Sequence, residues 1–503
     1  MLCPALNDLK KIKMEVLNNY INSNWVKSRE ENTTDVINPA TQEVLAKVPR
    51  GKGTAADVDQ AVAAAAEAFK SWAHVPVMKR VQPLYKLKQL LEDNAEDIAR
   101  TITEECGKTL GESRGELQRA IENIEVACGT PMLIQSEFSE NISSGIDEFM
   151  IRQPLGVCGC VSPFNFPGMI PFWFLPYAIA CGNTFILKPS EKVPLTMMKV
   201  FRLLEQVDLP AGVVNLVHGG KETVDALLDH PQIKAISFVG SSNIARYVYS
   251  RGAASGKRVQ AQGGAKNPLV ILPDADIEMS VKIIADSAYG CAGQRCLAAS
   301  NIITVADDGN IKDALYESAK KRTTGFGLDE SIEMGPVITK ESRERVEDLI
   351  NKGVSEGAKV LLDGRKPAIS GFEKGNFIRP TILEGLPLDG ELVRTEIFGP
   401  VMSLIQLKTV DEALEFINSG KYGNMACLFT SSGANARKFR NLANAGNIGI
   451  NIGVAAPMAQ FPFSGWKESF FGDLHGQSRH AIEFFTQTKV VIERWPKEWS
   501  RKF

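Results

Sequence analysis

The chain has 503 residues, a formal charge of −2 near neutrality, 44% hydrophobic residues and 23% charged residues. That length exceeds one ordinary core, so two or more domains are expected. The near-balanced charge offers no electrostatic footprint for nucleic acid or for an anionic membrane surface.

At the N-terminus, MLCPALNDLKKIKMEVLNN carries Asp8 and Glu15 among its lysines and has no apolar core of a signal segment. Nine cysteines, an odd number spread over a long chain, do not form a disulfide framework and fit a reducing compartment. A cytoplasmic protein is expected. Next comes an alanine-rich helix over 55–69, capped by Thr54, with more helix through residue 128. The segment 138–152 and the closing VVIERW read as a hairpin arm and a tail strand. They are free to pair with each other or with a neighbouring subunit's edge.

From 153 to 187 no residue is charged, which is long enough to span a bilayer. Pro163, Pro167, Pro171 and Pro176 interrupt the run and Gly182-Asn183 punctuates it. A lipid-exposed helix broken that often would leave backbone groups unpaired, so a buried strand, a turn and a buried helix are expected instead. From 156 onwards strands and helices alternate. GVCGCVSP, TFILKPS, VVNLVHG and KAISFVG read as strands, with MIPFWFLPYAIACG, PLTMMKVFRLLEQV and KETVDALLDH as helices between them. This rhythm predicts a parallel, doubly wound sheet with ligands at the carboxyl ends of its strands, although no GxGxxG follows the first strand. It restarts after 267, with NPLVILP, SNIITVA, VMSLIQLK, MACLFTSS and GNIGINIG as strands and IEMSVKIIADSAYG as a helix. The expected division is 1–137 for the N-terminal part of a cofactor domain and 138–152 for a bridging arm. Then follow 153–262 for a dinucleotide-binding core, 263–464 for a catalytic domain and 465–503 for a tail with a bridging strand.

That last helix leads into YGCAGQRCLAAS, where Cys296 follows Gln294 and Arg295 among small residues. Small neighbours leave room for a reactant, and a preceding arginine favours thiolate. The alternative is a packing thiol, which is how Cys158, Cys160, Cys181 and Cys291 read. No histidine lies at ligand spacing beside these cysteines, so no metal site is expected.

Six stretches, SPFNFP, LKPSE, ISFVGS, GGAKNP, GQRC and EIFGP, occur in an order and spacing that resemble the NAD(P)-dependent aldehyde dehydrogenases over essentially the whole chain. RAIEN at 119–123 and the closing FPFSGWKESFFGDLH are most similar to the CoA-acylating methylmalonate-semialdehyde dehydrogenase branch. The resemblance implies two doubly wound, Rossmann-like α/β domains with a small β bridging arm that serves oligomerisation, in a homodimer or homotetramer. It implies Cys296 as nucleophile and Asn165 as oxyanion donor, acting with the Cys296 N–H. NAD contacts would come from Ser162, Phe164, Lys188, Ser190, Glu191, Gly240, Ser241, Glu396 and Phe398. A carboxylate at Glu191 accepts from both ribose hydroxyls and repels a 2′-phosphate, which favours NAD over NADP. Ala245 stands where the family often has a second glycine. Arg119, Arg295 and Phe166 would bind the substrate, a guanidinium fork suiting a carboxylate. Arg119 could instead pair on its own helix with Glu116 or Glu122. Pro268 departs from the branch, which commonly has histidine there.

Hydrolytic relatives carry a glutamate just before paired glycines. RVQAQGGAKNP places either Ala261 or Gln262 at that position, and neither is a carboxylate. General-base help to water is worth roughly 10²–10⁴-fold, whereas the thiol of coenzyme A, with a pKa of about 8.5, ionises with little help. The expected reaction is oxidation of malonate or methylmalonate semialdehyde, with CoA as co-substrate and acetyl- or propionyl-CoA as product. Loss of CO₂ is implied by the resemblance alone. The rivals are a hydrolytic aldehyde dehydrogenase using another base, such as Glu391 or Glu468, and an inactive binding protein.

Overall fold

The computed structural model describes residues 15–306 and 309–495. Most of the N-terminal stretch considered for a targeting signal and the end of the 465–503 tail therefore lie outside the described residues. Among those described, no helix is long and apolar enough to cross a membrane.

Two large sheets organise the molecule. The first has eight strands, with a parallel centre running Val214–Leu216, Thr184–Lys188, Val157–Val161, Ile233–Val239, Arg258–Gln262. The edges are antiparallel: Asn19–Ile21 and Asn24–Val26 on one side, Phe470–Phe471 on the other. The second sheet has seven strands in the order Lys359–Leu362, Thr381–Glu384, Val401–Leu407, Ala299–Val305, Asn267–Ile271, Met425–Phe429, Asn447–Ile450. All its pairings are parallel except the first. Helices cover both faces, so central strands such as Val157–Val161 and Met425–Phe429 are buried at every residue and read as continuous apolar runs. This is the mixed α/β architecture with smaller accessory sheets expected from the strand–helix rhythm.

The arm is a three-stranded antiparallel sheet. Thr486–Arg494 pairs along nine positions with Ile146–Pro154, which pairs in turn with Phe138–Ser143. Tail and hairpin therefore meet within one chain.

Two local expectations need correction. The first helix runs Thr54–Trp72 with Gly53 as its N-cap; Thr54 is already helical, and its hydroxyl donates backward to the Gly51 carbonyl at 2.7 Å. The apolar run after Gly168 is not one helix but a 3₁₀ turn, Ile170–Trp173, and a short helix, Leu175–Ala180. Pro171 and Pro176 each sit in the first turn of their segment. Proline fits there, but it would break a continuous helix.

Candidate active site

Cys296 sits on the loop between a short 3₁₀ turn, Gly290–Gly293, and the strand Ala299–Val305. The turn is sharply kinked: Cys291 and Ala292 both hold φ of 52°, and Gly293 follows at φ 70°. Glycine is required at 293, because a Cβ there would lie 2.1 Å from the Gly399 carbonyl oxygen. This close approach brings the EIFGP loop against the Cys296 loop. Two amides clamp the Cys296 carbonyl from the other side, Asn267 Nδ2 at 2.8 Å and Asn424 Nδ2 at 2.9 Å.

A cavity of about 350 Å³ opens onto Cys296 and is lined by Phe166, Arg119 and Arg295, the three residues expected to meet substrate. Trp173 and Phe463 form part of its apolar wall, with ring centroids 4.4 Å apart. Asn165 is buried, and its Nδ2 donates to the Gln294 carbonyl at 3.0 Å, which ties the amide to the segment carrying the cysteine. Arg295 Nη2 donates to Cys291 Sγ at 3.4 Å. Arg119 Nη1 donates to Glu122 Oε2 at 2.8 Å, whereas Glu116, its other possible partner, is buried against Lys108. Arg119 thus makes a helix-surface pair and lines the cavity at the same time.

Arg295 does draw the Cys296 thiol toward thiolate, as its place in the sequence suggests, but other influences outweigh it. Burial pushes the Cys296 thiol up to about 12, the Glu396 carboxylate adds to the rise, and Arg295 opposes it without prevailing. Iodoacetamide labelling of Cys296 in the ligand-free protein should therefore accelerate about tenfold per pH unit from pH 7 to 9. A plateau below pH 8 would show a thiolate already formed.

Strand alternation decides between the two candidates for the missing carboxylate. Ala261 points into an apolar cluster with Val161 and Phe238. Gln262 points the other way, its Nε2 donating to Asn424 Oδ1 at 3.0 Å. Asn424 in turn holds the Cys296 carbonyl, so Gln262 is the residue facing the cysteine loop, and it is an amide. Glu468 pairs with Arg246 at 2.9 Å, while Glu391 lies on the short helix Glu391–Arg394; neither lines the cavity.

The residues expected to hold a dinucleotide form a second group. Lys188 ends its strand buried and pairs with Glu191 at 3.0 Å; it is not an exposed strand-end pair. Burial alone would raise the Glu191 carboxyl, but Lys188, the Glu191 backbone N–H and Lys192 together more than offset it and hold the group below its ordinary range. Ser162 and Ser190 are buried nearby in sequence. Gly240 and Ser241 form the turn before the helix Ser242–Ala254, where the Ser241 hydroxyl makes no cap bond to the helix. Ala245 is fully buried in that helix. Burial pushes the Glu396 carboxyl up to about 7, although the Ala265 N–H, Arg345 and Lys266 all draw it down. Arg345 fixes this loop by donating to the carbonyls of Glu396 and Ile397, each at 2.7 Å. Phe398 holds a strained φ of 55° and meets Phe164 edge-on at 5.8 Å. A buried carboxylate, a lysine–glutamate pair and a turn opening a helix are the donor set a dinucleotide needs for ribose and pyrophosphate. The residues fit NAD.

Lys108, Glu116, Asn267 and Asn424 were not singled out as site residues by sequence pattern. Only Asn267 lay inside a recognisable motif.

Comparison with known proteins agrees with this geometry. The model of the aldehyde dehydrogenase family matches residues 25–491. Malonate-semialdehyde dehydrogenase 1 of Geobacillus thermodenitrificans (strain NG80-2) is 47% identical over 483 residues, covering 96% of this chain and 99% of that protein. The crystal structure of methylmalonate-semialdehyde dehydrogenase (DddC) from Oceanimonas doudoroffii superposes with a TM-score of 0.95 at 40% identity, covering 97% of this chain and 100% of that one. Betaine aldehyde dehydrogenase from Staphylococcus aureus, solved in complex with NAD+, gives 0.92 at 29% identity, covering 98% and 99%. With a cysteine at the mouth of a cavity, a buried amide tied to its loop and a dinucleotide donor set beside it, the chain belongs to the aldehyde dehydrogenase family.

Proposed function

We propose that this enzyme oxidises malonate or methylmalonate semialdehyde with NAD and passes the acyl group to coenzyme A, releasing CO₂ and acetyl- or propionyl-CoA. The observation that carries the substrate class is the charge balance of the cavity. Its two carboxylates are already engaged. Glu112 accepts from the N–H groups of Cys291 and Thr109, and Glu116 accepts from Lys108 and from the Gly168 and Met169 N–H groups. Arg295 makes no side-chain ion pair among the described residues; it donates to the Cys291 sulfur and feels the Glu112 carboxylate, so its guanidinium fork keeps N–H groups for a substrate carboxylate. Arg119 supplies a second guanidinium at the same cavity.

In the proposed chemistry the Cys296 thiol gives its proton to solvent, and the thiolate Sγ bonds to the aldehyde carbon as the carbonyl π electrons move to oxygen. That oxygen is held by Asn165 Nδ2 and the Cys296 N–H. Ser162, Phe164, Lys188, Ser190, Glu191, Gly240, Ser241, Glu396 and Phe398 would hold NAD, whose nicotinamide would supply the hydride acceptor. Oxidation leaves a thioester on Cys296 that still carries the substrate carboxylate. Breaking the bond between that carboxylate and the α-carbon releases CO₂, and the electron pair left on the α-carbon takes a proton from solvent. Gln262 has no lone pair basic enough to take a proton from water, and its amide is occupied by Asn424. Water attack therefore lacks general-base help worth roughly 10²–10⁴-fold, and the CoA thiolate is the competent acceptor.

NADH formation from malonate semialdehyde, with and without CoA, tests this directly. One burst per active site without CoA, and steady turnover only with it, is the expected result. Equal steady rates in both would overturn the acyl-transfer reading and make the enzyme hydrolytic.

The arm supports assembly into a homodimer or homotetramer. Its sheet exposes Phe138, Ile142, Val490 and Ile492, an apolar set a second subunit can cover. The eight cysteines among the described residues are all free thiols, as suits a reducing cytoplasm.

A further inference from the structure

The least expected feature beside the cavity is a buried ion pair. Lys108 Nζ lies 2.5 Å from Glu116 Oε2, with side-chain exposures of 2% and 0%. Neither residue belongs to a motif of the family reading, and both come from the helical N-terminal region, Glu116 on the helix Leu110–Cys128. The pair's remaining hydrogen bonds all go to one short stretch of chain. Lys108 Nζ donates to the Asn165 carbonyl at 2.6 Å and sits 3.9 Å over the Phe166 ring. Glu116 Oε1 accepts from the Gly168 N–H at 2.6 Å and the Met169 N–H at 3.1 Å. Together the two side chains grip residues 165–169 from both ends.

We infer that Lys108 and Glu116 are positioning residues that hold the Asn165 carboxamide where negative charge develops on the aldehyde oxygen. A buried ion pair is a poor device for stability, because the desolvation of two charges offsets most of their attraction, and well-packed apolar residues often do as well. It is a good device for placement. The Asn165 backbone is fixed by Lys108 and its side chain by the Gln294 carbonyl, so the amide has one N–H left to aim. Asn165 sits in a run containing Pro163 and Pro167 with no strand or helix hydrogen bonds of its own, so the grip must come from outside the segment. The inference rests on the proposed oxyanion role of Asn165.

The test compares two reactions of the same thiol. Addition to an aldehyde moves charge from sulfur to oxygen and needs the oxyanion donor. Alkylation by iodoacetamide displaces iodide and builds no oxyanion. The variant pairs Lys108→Met with Glu116→Gln, leaving no unpaired charge and keeping an amide oxygen for the Gly168 and Met169 N–H groups. Its NADH burst from malonate semialdehyde should slow by about 30–100-fold, the scale of a misplaced catalytic group. Alkylation of Cys296 and NAD affinity should stay within about twofold of the parent enzyme. If the double variant does not fold, Lys108→Arg alone decides, keeping the charge pair while moving the donor to the Asn165 carbonyl, with a smaller fall in burst rate of about 3–10-fold and unchanged alkylation. An unchanged burst in a folded variant, or burst and alkylation falling in parallel, overturns the inference. A parent enzyme that forms no NADH from malonate semialdehyde overturns the substrate proposal instead, and the alkylation control separates the two failures.

Discussion

Replacing Cys296 with serine is expected to lower NADH formation by about 10⁴-fold or more, the scale of losing a covalent nucleophile, while NAD binding is retained. The thiol already stands high at about 12 in its buried setting, and a serine hydroxyl in the same place ionises far less readily. Among the described residues lining the cavity, the one other thiol is Cys291. Burial holds that thiol up, and its sulfur is turned to Arg295. Burst amplitude for activity and fluorescence quenching for NAD binding measure the two properties separately. A variant that binds NAD and still gives a full-rate burst would place the thioester on another residue.

The second large effect concerns substrate charge. Arg119→Leu should raise KM for malonate semialdehyde by about 10–100-fold, the value of one charge-assisted hydrogen bond, and leave propanal oxidation almost unchanged. Arg295→Leu should do the same and also lower kcat for both aldehydes, because Arg295 is the group that draws the Cys296 thiol down. With both changed, the preference for the acidic aldehyde should fall further than in either single variant but depart from the product of the single effects, because the two arginines share one carboxylate. Measuring kcat/KM for the two aldehydes side by side checks this. Equal losses on both substrates in Arg119→Leu would show that Arg119 shapes the cavity without holding a carboxylate.

Much of the fold could be read from sequence where strands are buried on both faces. TFILK, NPLVI and MACLF are nearly unbroken apolar runs, bounded by glycine, proline or serine, and each is a strand of a parallel sheet. The missed strands are short. Phe470–Phe471 is two residues long and pairs with Ala261 and Gln262, far earlier in the chain, so nothing local marks it. Asn19–Ile21 and Asn24–Val26 form a tight hairpin, and Thr33–Ile37 pairs with Val44–Pro49. One strand of each local pair, Asn24–Val26 or Thr33–Ile37, is polar in part and only partly buried, so it lacks the apolar run that marks the central strands.

The site divides in the same way. Cys296, Asn165 and the residues proposed for the dinucleotide lie inside contiguous motifs, which is why sequence alone can propose them. Lys108 and Asn424 carry no local pattern, since their roles exist only through contacts with the Asn165 carbonyl and the Cys296 carbonyl. The influences on the Cys296 thiol divide likewise. An arginine adjacent in sequence is visible, but the depth of burial and the approach of Glu396 from a loop a hundred residues later are not.

The last strands also bear on how the molecule is made. The first sheet takes Phe470–Phe471 as its edge, and Asn183 Nδ2, whose Oδ1 accepts from the Leu155 and Gly156 N–H groups, donates to the Phe485 carbonyl at 2.8 Å. On a ribosome the residues after 465 emerge last, when the whole second sheet has already left the exit tunnel. The half of the protein translated first therefore closes only after the half translated second, and its unpaired sheet edge must wait, open to aggregation or chaperone capture, through most of synthesis.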